Sequence, residues 1–326
     1  MNSPIRDASH ARHLLRQMQM IRSFETRVES LFKEGQLPGF VHSCAGQEAT
    51  AVGVCDLLTP TDYITSTHRG HGHAIAKGVD PAAMFAELYG RETGVCRGRG
   101  GSMHVADFSV GMLGANGIVG GGFGIATGAA FAIKYQRRSD VAVCFFGDGA
   151  VNKGTFHEAL NFAGVHRVPV VFVCENNRYA QFTAASRTTA VEDISVRAAG
   201  YGVVGETLNG NDILSVLHST GRAVQRARSG EGATLLNMLT YRFSGHYVGD
   251  AEEYRSKDEV ASSRDERDPI ASFVNYVTGE GLLSFKDVNG IFADVEGQLD
   301  RAHSFALESS PPDPSTALDD VWTTRG

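Results

Sequence analysis

Between residues 9 and 35 the apolar side chains Leu14, Met18, Ile21, Phe24, Val28 and Leu31 recur at steps of three and four. That period predicts an amphipathic helix ending near Gly35. The segment GGGFGIATGAAFAIKY, Gly120 to Tyr135, is rich in small residues that let a backbone approach its neighbour closely, and it reads as a buried helix. Two apolar runs follow, VAVCFF at 141–146 and VPVVFVC at 168–174, each ended by polar residues. A helical pattern around Phe156, Leu160 and Ala163 separates them, so strand, helix and strand form a parallel unit.

From Ser244 to Asp268 the chain is polar and charged with almost nothing to bury, which predicts a mobile surface loop. Two further helical patterns come after Pro269, one near 270–278 and one from Ser284, placed as an N-cap, to about Leu307. The Pro-rich tail SPPDPSTALDDVW reads as extended. The expectation is one α/β domain over 1–326, a mostly parallel sheet flanked by helices. Helical extensions are expected at both ends, the C-terminal one from about 269 to 326.

Composition narrows the chemistry. Hydrophobic residues make up 42% and charged residues 21% of the 326, enough to bury a core and too few charges to force disorder. A formal charge of -7 with scattered basic residues leaves no stripe for a nucleic-acid backbone. The five cysteines include no Cys-x-x-Cys pair, and Cys144 and Cys174 sit inside the strand-like runs. Buried reduced thiols follow, as in a reducing compartment. The start MNSPIRDASHARHLLRQ has no apolar signal region, and no stretch approaches the roughly 20 apolar residues that span a bilayer. A cytoplasmic protein without membrane or nucleic-acid partners is expected.

The most specific pattern is Gly147-Asp148-Gly149-Ala150-Val151-Asn152 directly after one core strand and Glu175-Asn176-Asn177-Arg178-Tyr179 directly after the next. In a parallel unit both emerge at the carboxyl ends of neighbouring strands, where open α/β sheets bind ligands. Asp148, Asn177 and one backbone carbonyl would give a hard cation such as Mg2+ three oxygen ligands and leave room for a diphosphate and water. Gly147 and Gly149 remove side chains where that diphosphate must lie near the backbone. A tight turn with two strand-capping asparagines is the plain alternative.

These residues resemble the signature of the α subunits of thiamine-diphosphate-dependent E1 dehydrogenases. The resemblance extends over GFVHSCAGQEA at 39–49, THRGHGH at 67–73, GRGGSMH at 98–104, GANGIVGGG at 114–122 and YRFSGH at 241–246, nearly the whole chain from about residue 10. It implies that Asp148 and Asn177 bind Mg2+ through side chains and Tyr179 through its carbonyl oxygen. Gly147, Gly149, Ala150 and Asn152 are then expected against the diphosphate end of the cofactor, and Gly117 and Val119 along its aminopyrimidine. Arg69 is assigned to the diphosphate, and His42, His71 and His246 to the reacting centre, His246 also touching the cofactor. His68 stands where pyruvate-specific members often have Tyr and could still reach the diphosphate, whereas His73 matches no functional position of the family.

Other readings of the same segments are weaker. The histidines carry no helix or hairpin spacing that fixes a zinc site, and no cysteine pair assists. Gly122-Phe123-Gly124 lacks the preceding strand, third glycine and ribose-binding acid of a dinucleotide fingerprint. The resemblance implies cleavage of acetoin or decarboxylation of a pyruvate-like 2-oxo acid, with transfer of the acyl unit to a lipoyl-bearing E2 component. The loop His246-Tyr247-Val248-Gly249-Asp250 looks more like acetoin dehydrogenases than pyruvate ones, and Tyr247 replaces a serine phosphorylated in regulated members. An E1 β subunit, in an α2β2 heterotetramer, is expected to supply the activating glutamate. A split transketolase subunit and a non-catalytic partner-binding subunit are the competing functions.

Overall fold

The computed structural model describes residues 3–319. Its strands are β1 (Tyr63–Thr65), β2 (Met112–Gly114), β3 (Ala142–Gly147), β4 (Val170–Asn176), β5 (Tyr179–Ala180), β6 (Thr183–Ala184), β7 (Val204–Asn209) and β8 (Thr234–Leu239). Six of them form one sheet in the order β2-β1-β3-β4-β8-β7, every neighbouring pair parallel, while β5 and β6 make a small hairpin. Both expected core strands are present and pair along their length, from Ala142 with Val170 to Gly147 with Glu175.

Alternation in β3 and β4 divides the core into two layers. Val143, Phe145, Val171 and Val173 point to one side. There they meet α1 (Ala8–Lys33), α2 (Glu48–Cys55), α3 (His71–Lys77), α4 (Pro81–Leu88), and the later helices α7 (Ile213–Arg228), α9 (Pro269–Gly279) and α10 (Phe285–Glu308). Ala142, Cys144, Phe146, Phe172 and Cys174 point to the other side, against α5 (Gly121–Tyr135) and α6 (Gly154–His166). Helix starts follow their sequence signals: Asp7 caps α1, and Ser284 and Asp287 form a reciprocal capping box on α10.

Three expectations change. α5 is buried on one face only: Phe123, Ala126, Ala130 and Ile133 are inside, but Ile125, Phe131 and Tyr135 are exposed. Within the expected loop 244–268, α8 (Lys257–Arg267) is helical. Ser256 caps it by accepting from Glu259 N, acids sit in its first turn and arginines in its last, so local charge and capping offset the shortage of apolar residues. The tail bends into a short helical turn at Pro314–Thr316, where Arg99 donates to the Thr316 carbonyl at 2.6 Å; residues 320–326 lie outside the described residues. All five cysteines are free, and all except the half-buried Cys96 are buried. No described helix is long and apolar enough to cross a membrane.

Candidate active site

The chain runs from β1 outward to β2 and then returns to β3 on the other side of β1, so the strand order reverses between β1 and β3. Loops diverge at such a point and leave a crevice at the carboxyl edge. A cavity of about 450 Å³ lies there. His68 and Arg69 enter it from the loop after β1, Gly147 to Ala150 after β3, Asn177 and Tyr179 after β4, and Arg242 and His246 after β8. Gly117 and Val119, ahead of α5, and His42 and Gln47, between α1 and α2, complete the wall.

One end of this cavity is built from oxygen donors. The Asp148 side chain is buried, its Oδ2 has no hydrogen-bond partner, and burial pushes its pKa up to about 6. The Asn177 amide nitrogen donates to Gln47 Oε1 at 3.0 Å, which orients the amide oxygen away from that contact. Tyr179 turns its phenol onto Glu259 Oε1 at 2.9 Å, so its side chain is not the group offered to a metal. Gly149 is required by space: a Cβ there would lie 2.7 Å from Ala180 Cβ, whereas one on Gly147 would meet nothing within 4 Å. An orphaned carboxylate oxygen beside an amide oxygen suits a hard divalent cation.

Two guanidiniums supply positive charge. Arg69 is 4% exposed and donates to the carbonyls of Ser43 and His246, the latter at 2.9 Å; burial and the nearby Arg242 lower its pKa to about 10. Arg242 is 2% exposed, donates to Gln181 O and to the Tyr254 hydroxyl, and leaves Nε without a partner. Neither meets a carboxylate among the described residues. Asp148 and Asp250 attract Arg242 from a distance, but buried guanidiniums without a directly paired anion are costly, so a polyanion in the cavity would complete the arrangement, and the donor set fits a metal-bound diphosphate. Arg242 was not among the expected site residues. Its signal was an arginine inside the matched segment YRFSGH, three residues past the carboxyl end of β8.

His42, His68 and His246 come together at the cavity, with ring centroids 4.7, 5.1 and 5.4 Å apart. Burial first, then the Arg69 charge, holds His42 near 3, His68 near 2 and His246 near 4, so all three imidazoles are neutral at pH 7. His71 differs from expectation. It is fully buried behind the cavity, with Nδ1 3.2 Å from Glu25 Oε2 and Nε2 2.9 Å from Ser102 Oγ, and it does not line the wall. As the first residue of α3 it faces the helical layer, and it reaches the site through Ser102 of the 98–104 loop and through its electrostatic effect on His42. Asn152 is also displaced: exposed, it donates to the Thr188 carbonyl at 2.9 Å and lies outside the cavity. The short helical turn Asp148–Asn152 carries it past the opening. His73 gains a structural role, bridging Ser66 Oγ and Glu175 Oε1 while stacked on Phe145 at 3.8 Å.

These shifts set the acid stability of the cofactor-free chain. Each of the three histidines has a depressed folded pKa, so its stabilising share is present above about 6.5 and is lost as pH falls. Asp148, with a raised pKa, works in the opposite direction between about 4 and 6, but it is one group against three. The melting temperature is therefore expected to fall as pH drops from 7.5 to 5, and His68→Gln should flatten that fall. A flat profile for the unaltered chain would contradict this account.

Comparison with known proteins agrees with the geometry. The family model described as dehydrogenase E1 component matches residues 16–315. Subunit alpha of acetoin:2,6-dichlorophenolindophenol oxidoreductase from Bacillus subtilis (strain 168) is 50% identical over 315 residues, covering 95% of this chain and 93% of its own. The subunit of the same name from Cupriavidus necator is 45% identical over 309 residues, covering 95% and 93%. Pyruvate dehydrogenase E1 component subunit alpha from Rhizobium meliloti (strain 1021) is 38% identical over 306 residues, covering 94% and 88%. With a match across nearly its whole length and a cavity at the strand-order reversal that fits a metal-bound diphosphate, this chain belongs to the dehydrogenase E1 component family.

Proposed function

We propose that the chain is the α subunit of a thiamine-diphosphate- and Mg2+-dependent E1 enzyme that cleaves acetoin, or decarboxylates a pyruvate-like 2-oxo acid, and passes the acyl unit to a lipoyl-bearing E2 component. The observation that carries this reading is the sharing of one cavity by the unpartnered Oδ2 of Asp148 and the two buried guanidiniums of Arg69 and Arg242. Asp148 and Asn177 would hold Mg2+ by side-chain oxygens, with the Tyr179 carbonyl as a third ligand, and the two arginines would neutralise the diphosphate. Gly117 and Val119 would line the organic part of the cofactor. When bound, thiamine diphosphate supplies the nucleophilic carbon and electron sink needed to break a bond beside a carbonyl.

The chain's own part is binding, orientation and proton placement. His42 Nδ1 and His246 Nδ1 are buried without partners, so neutral imidazoles there can hydrogen-bond a substrate oxygen and take up or return its proton. The segment after β8 closes over them. Asp250 accepts from His246 N at 2.6 Å and from the Tyr254 hydroxyl at 2.8 Å, and buried Arg255 ties the segment together through the Arg242 and Ser244 carbonyls at 2.7 Å.

Acetoin is the favoured substrate because the two relatives named for it are 50% and 45% identical, against 38% for the pyruvate relative described above. The test is co-expression with a candidate β chain, followed by dye reduction with acetoin, pyruvate and branched 2-oxo acids. Acetoin-dependent reduction is expected. Ketol transfer between sugar phosphates without dye reduction would replace this reading by a split transketolase, and failure to bind thiamine diphosphate with Mg2+ and the partner would make the chain a non-catalytic subunit.

A further inference from the structure

Three imidazoles from three separate loops converge at His42, His68 and His246, and their ring nitrogens include one from each that all lie within 4.8 Å of one another. No ring nitrogen of the three makes a hydrogen bond among the described residues, and Nδ1 of both His42 and His246 is buried without a partner. Histidines that merely fill polar space are normally satisfied, as His73 is by Ser66 and Glu175 and His71 by Glu25 and Ser102. Three imidazoles that bring a ring nitrogen each within 4.8 Å of the others, without hydrogen-bond partners among the described residues, have the make-up of a three-histidine metal site with an open position.

We infer that His42, His68 and His246 form a second metal site, separate from the oxygen ligands Asp148 and Asn177, which takes a borderline transition ion of the Zn2+ class. Zinc bonds to imidazole at about 2.0–2.1 Å, which sets tetrahedral nitrogens about 3.3 Å apart. Binding would require side-chain rotation to close the 4.8 Å spread to that distance, and no ring hydrogen bond among the described residues restrains it. The neighbouring Arg69 and Arg242 charges oppose any cation here and thereby select for ion type. A hard ion gains little from nitrogen ligands and stays with oxygen, whereas the Zn2+ class gains enough from three imidazoles to bind against that charge. On the proposed function, an ion so placed engages the imidazoles that would serve the substrate, so the site is inhibitory. The binding itself rests on the imidazole geometry alone.

Chelator-treated full-length chain is titrated with Zn2+, and bound zinc is measured after gel filtration; Co2+ is substituted for its visible absorption as a tetrahedral complex. About one equivalent per chain is expected, with His68→Gln and His246→Gln each weakening binding at least about tenfold, and Mg2+ in excess unable to displace it. His42→Asn serves as the third ligand deletion if either variant fails to match the circular dichroism of the unaltered chain. Stoichiometric zinc retained by correctly folded variants, displacement by Mg2+, or no zinc held by the unaltered chain would each overturn the site. Calorimetry with thiamine diphosphate and Mg2+ on the same preparation separates the two ideas: cofactor binding without zinc binding rejects only this site, and zinc binding without cofactor binding rejects only the proposed function.

Discussion

Asp148→Ala is expected to lower affinity for thiamine diphosphate in the presence of Mg2+ by more than about 100-fold and to remove turnover with it, because a lost charged ligand leaves the metal and the diphosphate uncompensated. The same substitution should not destabilise the cofactor-free fold. Burial raises the Asp148 pKa from 3.8 to about 6, so at pH 7.5 the folded chain holds a carboxylate that it disfavours. A shift of that size corresponds to about 3 kcal/mol that ionisation takes from the folded state above pH 6. Removing the group relieves that cost, offset by lost contacts, and the melting temperature at pH 7.5 is expected to hold or rise while binding disappears. Asp148→Asn, which keeps an oxygen but not the charge, should bind cofactor with intermediate affinity. Calorimetry and thermal unfolding on the same samples check both halves, and unchanged cofactor affinity in Asp148→Ala would remove Asp148 from the metal.

How much of this was legible depends on the kind of order each feature needs. The β3 and β4 runs, the helix between them and the motifs after each strand are local patterns, and a parallel unit converts them into proximity, so Asp148 and Asn177 could be placed together from sequence. Arg69, Gly117 and Val119 reached the cavity as expected, because the resemblance carries whole segments. His71 and Asn152 lie off the cavity wall for reasons of which way a side chain faces. His68 and His71 stand three residues apart in one loop-to-helix segment, yet His68 lines the cavity and His71 points into the helical layer, a choice made by Glu25 on α1. Asn152 ends a motif whose start lies in the site and is carried out of it by a single helical turn. Arg242 was obscured by its surroundings, since a charged residue in the loop after a strand reads as a surface position until the fold closes over it. The α8 capping signal, Ser256 followed three residues later by Glu259, was present in the sequence but outweighed by the absence of an apolar stripe.

The chain by itself is expected to turn over substrate at least about a thousandfold more slowly than the chain assembled with a β subunit, with α2β2 as the functional unit. Two observations lead to this. Among the described residues the cavity wall contains two acids, Asp148, assigned to the metal in the proposed function, and Glu175, held by His73 at 3.2 Å, so none of the described carboxylates is left beside Gly117 and Val119 to activate the organic part of the cofactor. The surface next to that gap is apolar and uncovered. Ile118 is 72% and Val119 45% exposed at the cavity, and the outer faces of α5 and α6 add Ile125, Phe131, Tyr135, Phe162 and Val165, with Phe131 and Phe162 in edge contact at 5.6 Å. Gly124 and Gly128 on the same face of α5 have nothing within 4 Å of a Cβ, which leaves room for another backbone to approach. A contiguous apolar face that ends at an incomplete active site is where a partner would both bury surface and supply the missing acid. The measurement is turnover of the β-free chain with saturating thiamine diphosphate and Mg2+, alongside its size by gel filtration with and without the β chain. Full activity in a β-free preparation would mean that the acid comes from within this chain and that the exposed face serves some other purpose.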